Sequence, residues 1–213
     1  YWAAAYDGLV IVNEAGTGYF WNGTALSIIA DTDFTSRNPG PVAFLDNFIL
    51  VIEKDTGRFF ASELANSTSY EALSFATAES SPDNLVTIIE DHGQAILFGT
   101  DSIELWYNAG FGNFPFVRVQ GGIVALGCGA HRSVVKLDNS VLWMANDGTI
   151  RRLNGVTPIR ISTHAIEQAI GRYPQIDDCE AFAYTLDGHL CAAFRFVSAG
   201  ITWIYDATTN AWH

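Results

Sequence analysis

The sequence predicts an all-β chain, a β-propeller of about five blade-like repeats, and three observations carry that prediction. Aromatic and β-branched runs are punctuated by Gly, Asn and Asp, and the 213 residues include 14 Phe, 8 Tyr, 6 Trp and 19 Gly. A degenerate unit recurs: an apolar strand, a two-residue Asp-led turn, a second apolar strand, a Gly turn and a third strand. The leading Asp residues are spaced by 45 residues from Asp46 to Asp91, by 47 to Asp138 and by 49 to Asp187. That is the period of a three- or four-stranded propeller blade.

The first unit is the loosest, with strands Tyr1 to Tyr6, Leu9 to Val12 and Tyr19 to Trp21 and a turn at Asp7-Gly8. The second reads Val42 to Leu45, Phe48 to Ile52 and Arg58 to Ala61, turning at Asp46-Asn47 and at Asp55 to Gly57. Leu85 to Glu90, Gln94 to Phe98 and Ser102 to Tyr107 make the third, around Asp91-His92-Gly93 and Gly99 to Asp101. The fourth has Ser133 to Leu137, Ser140 to Ala145 and Thr149 to Leu153, with turns at Asp138-Asn139 and Asn146-Asp147-Gly148. The fifth has Glu180 to Leu186, His189 to Phe196 and Ile201 to Tyr205, with Asp187-Gly188 at its first turn. Asp-Gly and Asp-Asn have a local cause at these tips, because a type I′ turn needs positive φ at both central residues. Strands with no polar face, such as Ala95-Ile96-Leu97-Phe98, suit blades that are covered by neighbours on both sides.

Three segments interrupt the pattern. Ser162 to Gly171 carries a Ser/Thr cap and apolar Ile166, Ala169, Ile170 and Tyr173 at helical spacing, which predicts a short helix near 163–172. Glu63 to Asp83, rich in Ser, Ala and Thr, reads as a long excursion between strands, pinned by Tyr70, Leu73 and Phe75. Asn38-Pro39-Gly40-Pro41 reads as a rigid connector. The expectation is one propeller domain over 1–213, with units of about 1–41, 42–84, 85–132, 133–179 and 180–213. Tyr1 in place of an initiator Met suggests a piece of a longer chain.

Charge and motifs narrow the function. With 23 Asp and Glu against 11 Lys and Arg the net charge is −12, which argues against a surface that grips phosphates. No apolar run reaches the roughly 20 residues of a membrane span, and no signal peptide is visible. Cys128, Cys179 and Cys191 are an odd set without CxxC spacing, and they read as buried, reduced thiols. His92, His131, His164, His189 and His213 are scattered singly, so neither a metal nor another cofactor is indicated. Asp31-Thr32-Asp33 is too short for a calcium loop, and no phosphate-binding or serine-nucleophile motif occurs.

An acidic propeller raises the alternative of a carbohydrate-active protein, a glycoside hydrolase or lectin, built on paired carboxylates. Asp7, Asp46, Asp91, Asp138 and Asp187 recur at equivalent places, so the turn explains them better than catalysis does. The singular carboxylates are Glu79, Glu104, Glu167 and Glu180. Glu104, within Ser102-Ile103-Glu104-Leu105-Trp106, either faces solvent by strand alternation or is buried with a partner, and the first is the favoured reading. Trp21, Trp106, Trp143, Trp203 and Trp212 fall in or beside strands, where blade packing is favoured over a sugar-stacking shelf.

Four blocks then carry a resemblance: Phe75-Ala76-Thr77-Ala78-Glu79-Ser80-Ser81-Pro82-Asp83, Leu97-Phe98-Gly99-Thr100-Asp101-Ser102-Ile103-Glu104, Phe114-Pro115-Phe116, and Ile161 to Glu167 with Tyr173. Gly188-His189, Thr202 to Asp206 and Trp212-His213 extend it. In order and from about Val42 onward, they resemble the packaged-DNA stabilisation proteins, the tail accessory or head-closure factors of enterobacterial short-tailed phages. The resemblance implies a longer chain and a non-enzymatic virion protein, made in the bacterial cytoplasm and seated at the head–tail junction. It also implies a six-membered homo-oligomeric ring between the portal and adaptor assembly and the tail needle, through which DNA passes without tight binding. It supplies no catalytic or cofactor-binding positions.

Overall fold

The computed structural model describes residues 1–213 as twenty strands and two short helices, arranged in five four-stranded antiparallel sheets, the blades of a β-propeller. Every sheet is a simple meander in which sequence order equals spatial order. The chain divides into two compact units, Tyr1–Ile123 and Val124–His213. No helix is long and apolar enough to cross a membrane.

In the first unit, blade 1 consists of β1 (Trp2–Ala4), β2 (Leu9–Val12), β3 (Gly18–Trp21) and β4 (Leu26–Ile28). Blade 2 consists of β5 (Pro39–Leu45), β6 (Phe48–Glu53), β7 (Arg58–Glu63) and β8 (Asn66–Thr77). Between them Asp31 caps the one-turn helix α1 (Thr32–Thr35), its Oδ1 accepting from the Asp33 and Phe34 amides at 2.9 and 3.0 Å. The helix drives Phe34 into the core against Phe60 and Tyr70, with ring centroids 6.0 and 4.9 Å away. Gly18 makes room for it, since a Cβ there would meet the Phe34 ring at 2.4 Å. Blade 3 consists of β9 (Leu85–Asp91), β10 (Gln94–Gly99), β11 (Ile103–Asn108) and β12 (Phe116–Val124).

Two apolar clusters fill this unit. One joins Ala3, Val10 and Val12 of blade 1 to Val42, Ile49, Val51 and Phe60 of blade 2. The other joins Leu50, Ile52 and Phe59 of blade 2 to Ala95, Leu97 and Trp106 of blade 3. Phe59 is its pivot, edge-on to Trp106 at 5.0 Å and to Phe114 at 5.3 Å. Alternate residues of β6 therefore serve opposite neighbours, which is why this strand carries no polar face.

In the second unit, blade 4 consists of β13 (Val135–Leu137), β14 (Ser140–Met144), β15 (Ile150–Asn154) and β16 (Thr157–Arg160). Helix α2 (His164–Ile170) follows, capped by Thr163 and ending at Gly171 as the sequence predicts. Blade 5 consists of β17 (Cys179–Leu186), β18 (His189–Phe196), β19 (Ile201–Asp206) and β20 (Ala211–Trp212). Leu142, Met144 and Ile150, Ile166 and Ile170 of α2, and Phe194 and Phe196 share one core.

The structure corrects several sequence expectations. Glu63 to Asp83 is mostly the twelve-residue edge strand β8, in which Tyr70 is buried while Leu73 is 70% exposed and pins nothing. Pro39 to Pro41 belongs to β5 and introduces a register shift before Val42, which accommodates the missing proline amides. Asp31, in the run set aside as a calcium loop, caps α1, and Thr32 and Asp33 open its single turn. Each blade also has a fourth strand that the three-strand reading of the repeat leaves out.

Because Phe59 fills both ring contacts at the centre of its cluster, Phe59→Ala should lower the unfolding free energy by about 3–5 kcal/mol. Denaturant titration followed by tryptophan fluorescence measures this, and a loss below about 1 kcal/mol would mean the two blades do not depend on this contact.

Candidate functional site

Asp46-Asn47, Asp138-Asn139 and Asp187-Gly188 occupy hairpin tips with φ of 50 and 66°, 50 and 56°, and 50 and 84°. Backbone conformation accounts for these three carboxylates. Asp91 differs from the expectation: it is the last residue of β9, paired with Gln94, and the left-handed pair is His92-Gly93. Asp7 has another task, accepting from the Ser67 amide at 3.0 Å and the Ser67 hydroxyl at 2.6 Å, which ties the first hairpin to β8.

Glu104 is where sequence reasoning fails most clearly. The favoured solvent-facing reading is wrong, for the residue is 1% exposed. Its Oε1 accepts from the Ser80 amide at 2.6 Å and from Arg118 Nη1 at 3.3 Å, and its Oε2 accepts from Trp106 Nε1 at 2.8 Å. Beside it Asp83 Oδ2 accepts from the amides of Asp101 and Ser102 at 2.8 and 2.9 Å. Gly99 leaves the space for this carboxylate, since a Cβ there would lie 2.3 Å from Asp83 Oδ2. The blocks Phe75–Asp83 and Leu97–Glu104, far apart in sequence, thus meet as a clasp between the end of β8 and the β10–β11 hairpin. Alternation fails to predict this because β11 is covered on both sides: Ile103, Glu104, Leu105 and Trp106 are all buried. A carboxylate there needs donors, and the Trp two residues on, the Arg in β12 and the Ser80 amide supply them.

The other singular carboxylates do not converge on Glu104. Glu79 is exposed. Glu167 holds Arg160 and accepts from Ser162 Oγ at 2.6 Å, and Glu180 pairs with Arg132 at 2.9 Å. All three cysteines are buried free thiols, and burial raises the Cys128 thiol to about 11, far from a nucleophile's range. Trp143 and Trp106 pack inside blades, and Trp203 and Trp212 are half-buried, donating to Tyr173 Oη and the Ile161 carbonyl. Trp21 is 38% exposed and is not a packing residue in the same sense.

A polar corner in blade 5 was not legible from the sequence. Asp206, nearly inaccessible, accepts from Thr209 Oγ1 at 2.6 Å and from the Thr208 amide at 2.9 Å, and pairs with His189 Nδ1 at 2.7 Å. The Thr209 bond above all, with His189 and the Thr208 amide, holds its carboxyl below the usual carboxylate range. The chain folds back after β19 through Asp206-Ala207-Thr208-Thr209, an Asx-type turn that starts β20.

Charge is distributed unevenly between the two units. Residues 1–123 hold 15 Asp and Glu against 4 Lys and Arg, while 124–213 hold 8 against 7. In the second unit Arg132, Arg151, Arg152 and Arg160 are each paired with a carboxylate. The acidity of the chain belongs to blades 1 to 3.

Two stability tests follow from these clasps. Glu104→Ala should destabilise the protein by about 2–4 kcal/mol in denaturant titration, because it orphans a buried indole N–H and an amide; a neutral result would make the clasp dispensable. Asp206, with its folded-state value lowered, contributes stability that is present above the ordinary carboxylate range and is lost as pH falls through the lowered value. Thermal melts should therefore weaken in strong acid, and Asp206→Asn should flatten that dependence.

Known proteins of similar fold are diverse. Dihydro-heme d1 dehydrogenase NirN, solved in complex with DHE, aligns with TM-score 0.65 at 11% identity, over 100% of this chain and 45% of its own. Sqt1 of Saccharomyces cerevisiae gives 0.57 at 9%, over 99% and 60%, and the computationally designed Ika8 gives 0.54 at 13%, over 95% and 56%. The chain spans less than two thirds of each of these proteins, and at such identities the likeness concerns the fold alone. No curated protein sequence matches the chain. The family described as bacteriophage P22 Gp10, beta-propeller, whose name is that of phage stabilisation, matches residues 3–212. With five four-stranded blades and a match spanning nearly every residue, the chain belongs to this phage-stabilisation β-propeller family.

Proposed function

We propose that this chain is the propeller portion of a non-enzymatic virion protein that closes the filled phage head, joining the portal and adaptor assembly to the tail needle. The observation that carries the reading is the family match over residues 3–212. Supporting it, the blocks of sequence that mark the family are spent on internal joints. Ser80, Asp83, Ser102 and Glu104 form the clasp of blades 2 and 3, and Phe114 and Phe116 pack on Phe59 and Phe48. Glu167 and Tyr173 brace α2 against Arg160 and Phe196.

In this role the protein acts by shape and charge. A six-membered ring would multiply the −12 of each copy, and any acidic part facing DNA repels its phosphates, within the roughly 8–10 Å over which salt leaves the field unscreened. DNA then slides without sticking, and retention is mechanical. The carbohydrate-active alternative loses its named residue, because Glu104 is sequestered and its oxygens already accept three hydrogen bonds.

The full-length protein, mixed with portal and adaptor and examined by light scattering and native mass spectrometry, should form a discrete ring complex. It should not shift duplex DNA in a gel at physiological salt. Failure to join the portal and adaptor, together with saturable oligosaccharide turnover lost in Glu104→Gln, would overturn the assignment.

A further inference from the structure

Within the first unit a cavity of about 580 Å³ opens where blade 2 meets the loop after β11. Its wall includes Glu63, Leu64, Glu71 and Ser74 on one side and Asn108 and Pro115 on the other. The volume falls in the range of small-ligand sites.

The backbone here is irregular in a way that builds the wall. β7 and β8 pair Phe60 with Phe75 and then Ser62 with Tyr70, so Ala61 alone stands opposite the four residues Glu71 to Ser74. The next pair is Glu63 with Asn66, and a second irregularity separates it from the first. A bulge of this kind re-aims side chains that a regular ladder would send to alternate faces. Ala65, at the tip of the hairpin, is held at φ 56°, a left-handed conformation unusual for alanine, and its amide donates to the Asn47 carbonyl at 2.8 Å. On the facing side the loop is closed by the Ala109 amide, which donates to the Pro115 carbonyl at 2.8 Å, and the Gly110 amide, which donates to Asn108 Oδ1 at 2.9 Å.

The chemistry of the wall selects a class of ligand. Glu63 and Glu71 are exposed and make no ion pair or side-chain hydrogen bond, and no Lys or Arg lines the cavity. Ser74 is only 5% exposed, lines the same space, and its hydroxyl has no partner. Its Oγ is open to the cavity, so a ligand there can donate to it or accept from it in place of water. Phe48, Leu64 and Pro115 add an apolar floor.

We propose that this cavity binds an organic cation carried on an apolar stem, an alkyl-guanidinium or alkyl-ammonium. Its charged head would be held by Glu63 and Glu71 and hydrogen-bonded to Ser74, with its methylenes against Phe48, Leu64 and Pro115. Planar guanidinium suits two carboxylates best, because its fixed fork of donors can address both. The two sources of such a group are a basic side chain of a partner protein and a free polyamine. The inference stands on the cavity and not on the assembly role proposed above, so either can fail alone.

The test is calorimetry and NMR titration of this chain with three probes: an acetylated, amidated Gly-Arg-Gly peptide, spermidine, and maltotriose as a neutral polyol. Saturable binding of the peptide or spermidine is expected, weakened tenfold or more by Glu63→Gln with Glu71→Gln, measurably by Ser74→Ala, and by raising salt from 50 to 500 mM. Preference for the peptide over spermidine assigns a protein side chain as the source, and the reverse assigns a polyamine. Both carboxylates are exposed, and an unchanged thermal melt of the double variant separates lost binding from lost folding. Binding of maltotriose alone, no binding of either cation, or cation binding indifferent to the double variant overturns the proposal.

Discussion

Everything in this fold depends on a constraint of layered sheets: a four-stranded blade has two faces, and neither can be left to water when both are apolar. β6 illustrates it. Ile49 and Val51 belong to the cluster shared with blade 1, while Leu50 and Ile52 belong to the cluster shared with blade 3. The residues are adjacent, yet each serves a different neighbour. Such a blade has no stable existence alone, and stability accumulates through nearest-neighbour interfaces. That explains why the repeat is degenerate in sequence and regular in pattern, since what must recur is apolar character on both faces rather than any particular side chain.

A chain built this way must also bring its polar requirements indoors. Glu104 and Asp83 show how. The connection from blade 2 to blade 3 leaves the Ser80 amide, and the β10–β11 hairpin leaves the Asp101 and Ser102 amides, beside a covered strand, and two carboxylates take them up. Buried serines do comparable work in blade 4: Ser133 Oγ accepts from the Met144 amide at 3.0 Å and donates to the Ala130 carbonyl at 2.7 Å. Ser162 Oγ accepts from the Ile150 amide at 3.0 Å. Each replaces a ladder bond where a strand has run out, so the cost of stopping a strand inside the protein is met by one hydroxyl.

The same constraint decides what the sequence could tell. Strands such as β6, β10 and β14 were legible because doubly covered strands are continuous apolar runs, and the hairpin tips were legible because positive φ at Asp46, Asp138 and Asp187 restricts composition. Edge strands were not. β4 is exposed at all three positions, β16 includes Thr157-Pro158, and β8 opens with Asn66-Ser67-Thr68-Ser69, a composition shared with loops. Only pairing with the neighbouring strand makes them strands, and pairing is not a local signal. Glu104 was missed for a related reason: alternation is a rule for half-covered sheets, and β11 is not half-covered. The cavity beside β8 depends on a register shift, which no periodicity reports.

Charge acquires a sharper meaning once it is divided. The excess of 15 carboxylates over 4 basic residues lies in the first unit, where the acidic wall of the cavity also lies, whereas the second unit is close to neutral and pairs four of its six arginines with its own carboxylates. Uniform acidity would serve solubility alone. A net negative charge concentrated in three blades would serve two separate proposals, repelling a polyanion in the assembly role and attracting a cationic group at the cavity. The two would be compatible because they act at different range: repulsion of DNA would come from the summed field of many screened surface charges, whereas a cation would be held by contacts with Glu63 and Glu71. A surface can therefore be slippery to nucleic acid and adhesive to a basic side chain at once, and in the proposals above the second behaviour would be concentrated at the cavity lined by Glu63, Glu71 and Ser74.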